Sequence, residues 1–127
     1  MSQWKSLPVP EQMENHSQEI FVFGASGHAK VVIDVIEKQH KFRIGGIVDD
    51  DPDKQGKIFH GYEVLGSREK LLQLEHLKQG IIAVGNNHVR KKIAAWLSKR
   101  GFSFVAVIHP AAEIGKGVEV DGGTVIM

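Results

Sequence analysis

The sequence contains no cysteine. That absence excludes disulfide frameworks and thiolate chemistry, and it fits a cytoplasmic protein. Charge of one sign is also missing. Sixteen Lys and Arg against fifteen Asp and Glu leave a net charge of +1, so no strong field points to nucleic acid or to a membrane surface. No apolar run approaches the ~18 residues of a membrane span, and the N-terminus lacks the charged-then-apolar layout of a signal peptide. Histidines are present, but His16, His40, His60 and His76 show no paired spacing of the kind a metal site uses. What is there is 127 residues, 42% of them hydrophobic, enough for about one domain with one core.

Residues 1–19 are polar, carry Pro8 and Pro10 and show no sustained period. They read as a flexible tail, on which Trp4 and Leu7 are the only docking candidates. From Ile20 the chain alternates. Ile20–Phe23 reads as a short buried strand and Gly24–Gly27 as a turn. From His28 a helical stripe of Ala29, Val32, Ile33 and Ile36 runs to about Gln39. "RIGGIVDDD" reads as a second strand ending in acids. A glycine-punctuated loop follows, with a short strand at its end. Ser67 is placed to cap a helix from Arg68 to about Leu77. "GIIAVGNN" has the continuous apolar character of a strand buried on both faces. Asn86 or Asn87 then caps the helix "HVRKKIAAWLSKR", whose buried side is Val89, Ile93, Ala94, Trp96 and Leu97, and Gly101 stops it. "FSFVAVIHP" is a last strand. Strands alternating with helices predict an α/β domain with a parallel sheet over 20–110.

Beyond Pro110 the pattern changes. Ile114, Val120 and Ile126 lie six apart, with glycines at 115, 117, 122 and 123. Such spacing predicts the hexapeptide repeat of a parallel β-helix, here incomplete, over 111–127. About one coil with an uncovered apolar face is expected to be disordered, collapsed on the sheet or paired with another copy.

The stretch "FGASGHAK" carries the functional question. Gly24 and Gly27 permit a tight turn and close approach of a ligand to the backbone. The helix starting near His28 offers unpaired N–H groups and a positive dipole end, together suited to a diphosphate. Ser26 adds a hydroxyl and His28 an imidazole. Asp49, Asp50 and Asp51 close the second strand about 25 residues past Gly24, near where a dinucleotide fold places the acid that holds a ribose. Gly85, Asn86 and Asn87 close the third. Three loops thus converge on one edge of the sheet. Each signal alone has a plain alternative: a ligand-free turn, a solvated acidic loop, a helix cap.

Taken in order, "FGASGHAKVV", "IVDDD", "IAVGNNHVRKKI" and "IHPAAEIGKGVEVDGGTVIM" resemble the sugar O- and N-acyltransferase family that includes sialic acid O-acetyltransferases and bacterial UDP-4-amino-sugar N-acetyltransferases. The resemblance covers about residues 20–127. It implies a Rossmann-like N-terminal domain that binds a sugar nucleotide. It also implies a C-terminal left-handed β-helix that forms a homotrimer and binds acetyl-CoA as co-substrate between subunits. Ser26, Gly27, His28, Asp49, Asp50, Gly85 and Asn86 would meet the UDP-linked sugar or similar nucleotide sugar. The family's general base is a histidine several coils into the β-helix, so no catalytic residue is expected in this chain. His28 and His109 do not stand in for it; His109 reads as a junction residue before Pro110, and His88 as a surface helix residue. No metal, nucleic acid or membrane is implied, and the chain alone is expected to bind no acetyl-CoA and to transfer nothing.

The leading expectation is the sugar-nucleotide-binding portion of an acetyltransferase of bacterial glycan biosynthesis. A free-standing nucleotide-sugar-binding regulatory module is the first alternative. A small NAD-binding domain, supported only by the acid after strand two, is the second.

Overall fold

A computed structural model describes residues 18–108, 123 and 125–126. Eleven elements are described: β1 (Glu19–Phe23), α1 (Gly27–Gln39), β2 (Arg43–Val48), β3 (Ile58–Phe59), β4 (Tyr62–Gly66), a 3-10 helix (Arg68–Gln73), β5 (Gln79–Ile82), α2 (Asn87–Ser98), β6 (Ser103–Phe104), β7 (Val107–Ile108) and β8 (Val125–Ile126). Six strands form one sheet in the order β3-β4-β2-β1-β5-β6. All its pairings are parallel except β3 with β4.

The period of two in β1 builds the core. Ile20 and Val22 point to one face, Phe21 and Phe23 to the other. On the first face they meet Ala29, Val32, Ile33 and Ile36 of α1. On the second they meet Leu71, Leu77, Ile93, Leu97 and Phe102. Phe21 and Phe102 touch edge to face at 5.9 Å between ring centroids. A strand covered on both faces must be apolar throughout, which explains why β1 and β5 show no alternation. Gly80 of β5 is required here, because a Cβ at that position would run into the Phe21 ring. α1 stops where His40 takes the left-handed conformation, φ 55° and ψ 30°.

Several details differ from the sequence expectations. The sheet is mixed, because the loop after β2 folds into the β3–β4 hairpin. Its two-residue turn, His60-Gly61, has positive φ at both positions (50° and 91°) and adds an antiparallel edge. The helix expected over 68–77 is a 3-10 helix of six residues. The Ser67 hydroxyl donates to Glu69 Oε1 at 2.7 Å and does not cap the backbone. Short i→i+3 turns carry the chain on, Leu74 N donating to Leu71 O and Leu77 N to Leu74 O. Val89 lies on the exposed side of α2 rather than the buried one.

The left-handed β-helix and its hexapeptide repeat require correction. The described architecture is a mixed, mostly parallel six-stranded sheet flanked by helices, and no β-helix is formed among the described residues. The segment after β6 contributes one parallel pair of two-residue strands, Val107 with Val125 and Ile108 with Ile126, in a sheet of its own. A β-helix needs coils stacked on coils to cover its apolar face, and one such pair does not supply them. Ile114, Val120, His109 and most of the expected repeat lie outside the described residues, as do Trp4, Leu7 and His16. The homotrimer inferred through the β-helix falls with it. Among the described residues, no helix is long and apolar enough to cross a membrane.

Candidate functional site

Within the parallel part of the sheet, the strand order reverses between β1 and β5. Open α/β sheets bind ligands outside the carboxyl ends of their strands at such a reversal. Two loops flank it here, Gly24–Ser26 after β1 and Ala83–Asn86 after β5. They are held close where Ala83 N donates to Phe23 O at 2.7 Å, while Gly24 N ties the first loop to the end of β2 by donating to Val48 O at 2.8 Å. Gly24 has φ +117°, and a Cβ there would sit 2.7 Å from the Ala83 carbonyl oxygen. Only glycine allows the two loops to approach this far.

Around this crevice stand most of the residues singled out from the sequence. Ser26 is exposed and flanks α1 with extended backbone; its side chain makes no cap bond to the helix. Gly27 opens α1 and faces free space, since nothing lies within 4 Å of where its Cβ would be. His28 is half-buried. A Cβ on Gly85 would lie 3.9 Å from the His28 Cβ, so the first helical turn and the β5 loop form two walls of one opening. Asn86 spends its side chain as a cap, its Oδ1 accepting from Val89 N at 3.0 Å.

Both acids have protein partners. Asp49 is a loop-shaping residue. Its Oδ2 accepts from Ala25 N at 2.8 Å and its Oδ1 from Asp51 N at 2.9 Å, so one carboxylate ties the end of β2 to the glycine turn. Gln55 donates to the Asp49 carbonyl at 3.0 Å. Asp50 is bound by Arg68, from Nη2 at 2.6 Å and Nε at 2.9 Å to Oδ2, and from the backbone N at 3.1 Å to Oδ1. Burial would raise the Asp50 pKa, but the hydrogen bonds and charge of Arg68 outweigh it and hold the carboxyl below its usual value.

Two contributors were missed in the sequence. Arg68 stands in what reads as the first turn of a helix capped by Ser67. Lys54 stood in "DDDPDK", which reads as an acidic turn; its ammonium donates to the Ala25 carbonyl at 2.7 Å. No spacing or pattern marks either one, because both act through contacts distant in sequence.

Beside the glycine turn a cavity of about 220 Å³ is lined by Ala25, Lys54, Lys57, Ile58, Phe59 and Val64. A larger one, about 260 Å³, lies between Glu37, His40, Arg43 and Tyr62. It opens at the amino ends of β2 and β4, the edge away from the strand reversal, and for that reason is not the candidate site. Among the described residues, no group of three or more metal-ligating side chains comes together.

The fold and crevice define an open α/β domain with an opening at the carboxyl edge of its sheet. Comparison with known proteins gives this class its family. The PglD N-terminal domain family matches residues 19–97, and the chain belongs to that family. The match rests on the sheet domain, and the β-helix element of the resemblance drawn from the sequence is withdrawn. UDP-N-acetylbacillosamine N-acetyltransferase of Bacillus subtilis is 32% identical over 115 residues, covering 87% of this chain and 51% of the relative. Among solved structures, PerB of Caulobacter crescentus in complex with CoA and GDP-perosamine matches with a TM-score of 0.76 at 31% identity, covering 86% of this chain and 51% of PerB. The acetyltransferase domain of PglB from Neisseria gonorrhoeae in complex with acetyl coenzyme A matches with a TM-score of 0.73 at 32% identity, covering 87% and 53%. The chain is thus homologous to N-acetyltransferases of nucleotide-linked amino sugars, and it spans about half the length of the relatives it matches.

Proposed function

We propose that this chain is the nucleotide-sugar-binding part of an acetyl-CoA-dependent N-acetyltransferase acting on a nucleotide-linked amino sugar. One observation carries the reading: the strand-reversal crevice, walled by Gly24–His28 and Gly85, belongs to a family whose relatives include one complexed with GDP-perosamine. Ser26, Gly27 and His28 would meet the diphosphate at the start of α1, where backbone N–H groups and the helix dipole favour an anion. Gly85 would line the same opening, and Asp50 would meet the nucleoside end. Acetyl-CoA is the co-substrate of the whole enzyme, and the acetyl group would pass from its thioester to the sugar amine. The cytoplasm is the compartment this reading calls for.

The NAD reading stays the second alternative; of the acids after β2, Asp49 binds the main chain at Ala25 and Asp51. Calorimetric titration with a UDP-4-amino-sugar and a GDP-4-amino-sugar, with the parent diphosphates and NADH as comparators, tests the proposal. The expected result is binding of a nucleotide sugar that its parent diphosphate does not match and NADH does not displace. Preferential binding of NADH, or no nucleotide-sugar binding by folded protein, would overturn it.

A further inference from the structure

Arg68 occupies a position that the functional reading above does not use. It opens the 3-10 helix after β4, yet it reaches three other elements at the carboxyl edge of the sheet. Its guanidinium binds Asp50, just past β2, through both Nε and Nη2. The same group lies 5.5 Å from the ring of Phe23, the last residue of β1, and 5.2 Å from the ring of Trp96 on α2. Arg100 covers Trp96 at 3.7 Å. A planar cation held over aromatic rings is restrained by them, and its fork imposes an orientation on the carboxylate it holds. The Arg68 backbone N–H engages the other carboxylate oxygen, so Asp50 is fixed at both atoms. Among the described residues, Asp50 has no polar partner besides Arg68. Even so, 43% of its side-chain surface remains open to solvent.

We propose that Arg68 is a positioning residue for the nucleotide-sugar site: locked by Phe23 and Trp96, it presents the Asp50 carboxylate, charged and in one orientation, to the nucleoside end of the ligand. This deepens the functional reading above and rests on it. A carboxylate without this fork would sample several rotamers, and ordering it would weaken binding.

The test combines calorimetry with a carboxyl-carbon NMR titration of the free protein. Arg68→Ala is expected to weaken nucleotide-sugar binding by about tenfold or more, the range of one charged hydrogen-bonded contact, and to raise the Asp50 titration midpoint. Asp50→Asn is expected to weaken binding similarly, and the double variant to bind no worse than Asp50→Asn alone, because Arg68 acts through Asp50. Arg68→Lys keeps the charge and loses the fork, so its affinity should fall between wild type and Arg68→Ala. If Arg68→Ala does not fold, Arg68→Lys carries the same comparisons, and wild-type affinity in it would overturn the proposal. Wild-type affinity in Arg68→Ala, an unmoved Asp50 midpoint, or additive losses in the double variant would overturn it too while leaving the functional reading intact. Failure of the wild-type chain to bind any nucleotide sugar would instead overturn that reading, and this proposal with it.

Discussion

Two glycines in the wall of the crevice should respond to alanine in opposite ways. Gly24 is strained against any side chain twice over. Its φ of +117° lies where L-residues rarely go, and the new Cβ would sit 2.7 Å from the Ala83 carbonyl oxygen, a backbone atom that cannot swing aside. The conformational term is about 1–3 kcal/mol, and the overpacking term adds about 1–3 kcal/mol. Partial relaxation of the loops makes a total of roughly 2–4 kcal/mol the reasonable expectation. For a domain near a hundred residues that corresponds to a loss of roughly 10–25 °C in Tm. Gly27 has no such constraint. It begins α1 with open space around the Cβ position, and alanine there gains up to about 1 kcal/mol of helix propensity. Yet that open space is where the proposed diphosphate would rest. Gly24→Ala should therefore lower the urea midpoint sharply, while Gly27→Ala should keep or raise it and weaken nucleotide-sugar binding. Chemical denaturation of both variants, followed by calorimetry of the folded one, makes the comparison. A Gly24→Ala protein as stable as wild type would refute the close approach of the two loops. A Gly27→Ala protein with undiminished affinity would refute the placement of the ligand over the helix start.

Other consequences can be read with standard measurements. Phe21→Ala removes a fully buried ring packed on Phe102 and should cost about 3–5 kcal/mol of stability by urea denaturation. Asn86→Ala removes the cap on Val89 N and should cost about 1 kcal/mol without changing the unfolding m-value. Tyr62, the only tyrosine in the chain, is pushed up to about 12 by burial, by its hydrogen bond to Glu37 and by the Glu37 charge. Its folded pKa exceeds the unfolded value of about 10, so its contribution is whole below that pH and is lost as pH rises toward 12. Tyrosinate absorbance should show the late titration, and Tyr62→Phe should abolish that part of the alkaline destabilisation. Asp50 runs the opposite way: held below its usual pKa by Arg68, it stabilises the fold above that value, and the gain is lost as pH falls through the lowered one. Asp50→Asn should flatten that segment of an acid unfolding profile.

Local sequence signals identified the elements whose periodicity is set by burial. The stripe of α1 and the apolar runs of β1 and β5 are direct projections of which side chains must leave water, and they were legible for that reason. The β3–β4 hairpin was harder. Its signal is two consecutive positive φ values at His60-Gly61, and a histidine gives little hint of that conformation. The 3-10 helix reads as a longer α-helix in sequence because Leu71, Leu72 and Leu74 supply an apolar side, and the competing Ser67–Glu69 hydrogen bond is invisible in composition. The expected β-helix illustrates the opposite hazard. Three aliphatics at a six-residue spacing form a pattern in sequence, but a solenoid is defined by what stacks on each coil. The described structure forms a mixed sheet instead.

The candidate site was legible where the backbone makes it and opaque where side chains do. Gly24, Gly27 and Gly85 could be singled out because a ligand-facing turn needs residues without a Cβ, a requirement written in the residue type itself. Asp49 and Asp50 could be picked out as acids at the end of a strand, but sequence alone gives no means of distinguishing their surroundings. Structure separates them. Asp49 faces inward and binds the main chain of the glycine turn, so replacing it should act first on the shape of the loops. Asp50 is the more exposed of the two and is held by Arg68, whose guanidinium lies over the rings of Phe23 and Trp96. Two adjacent, chemically identical groups therefore differ in their surroundings: one ties the end of β2 to the glycine turn, and the other pairs with an arginine. Their difference lies in the partners that Ala25 and Arg68 supply from 24 and 18 residues away.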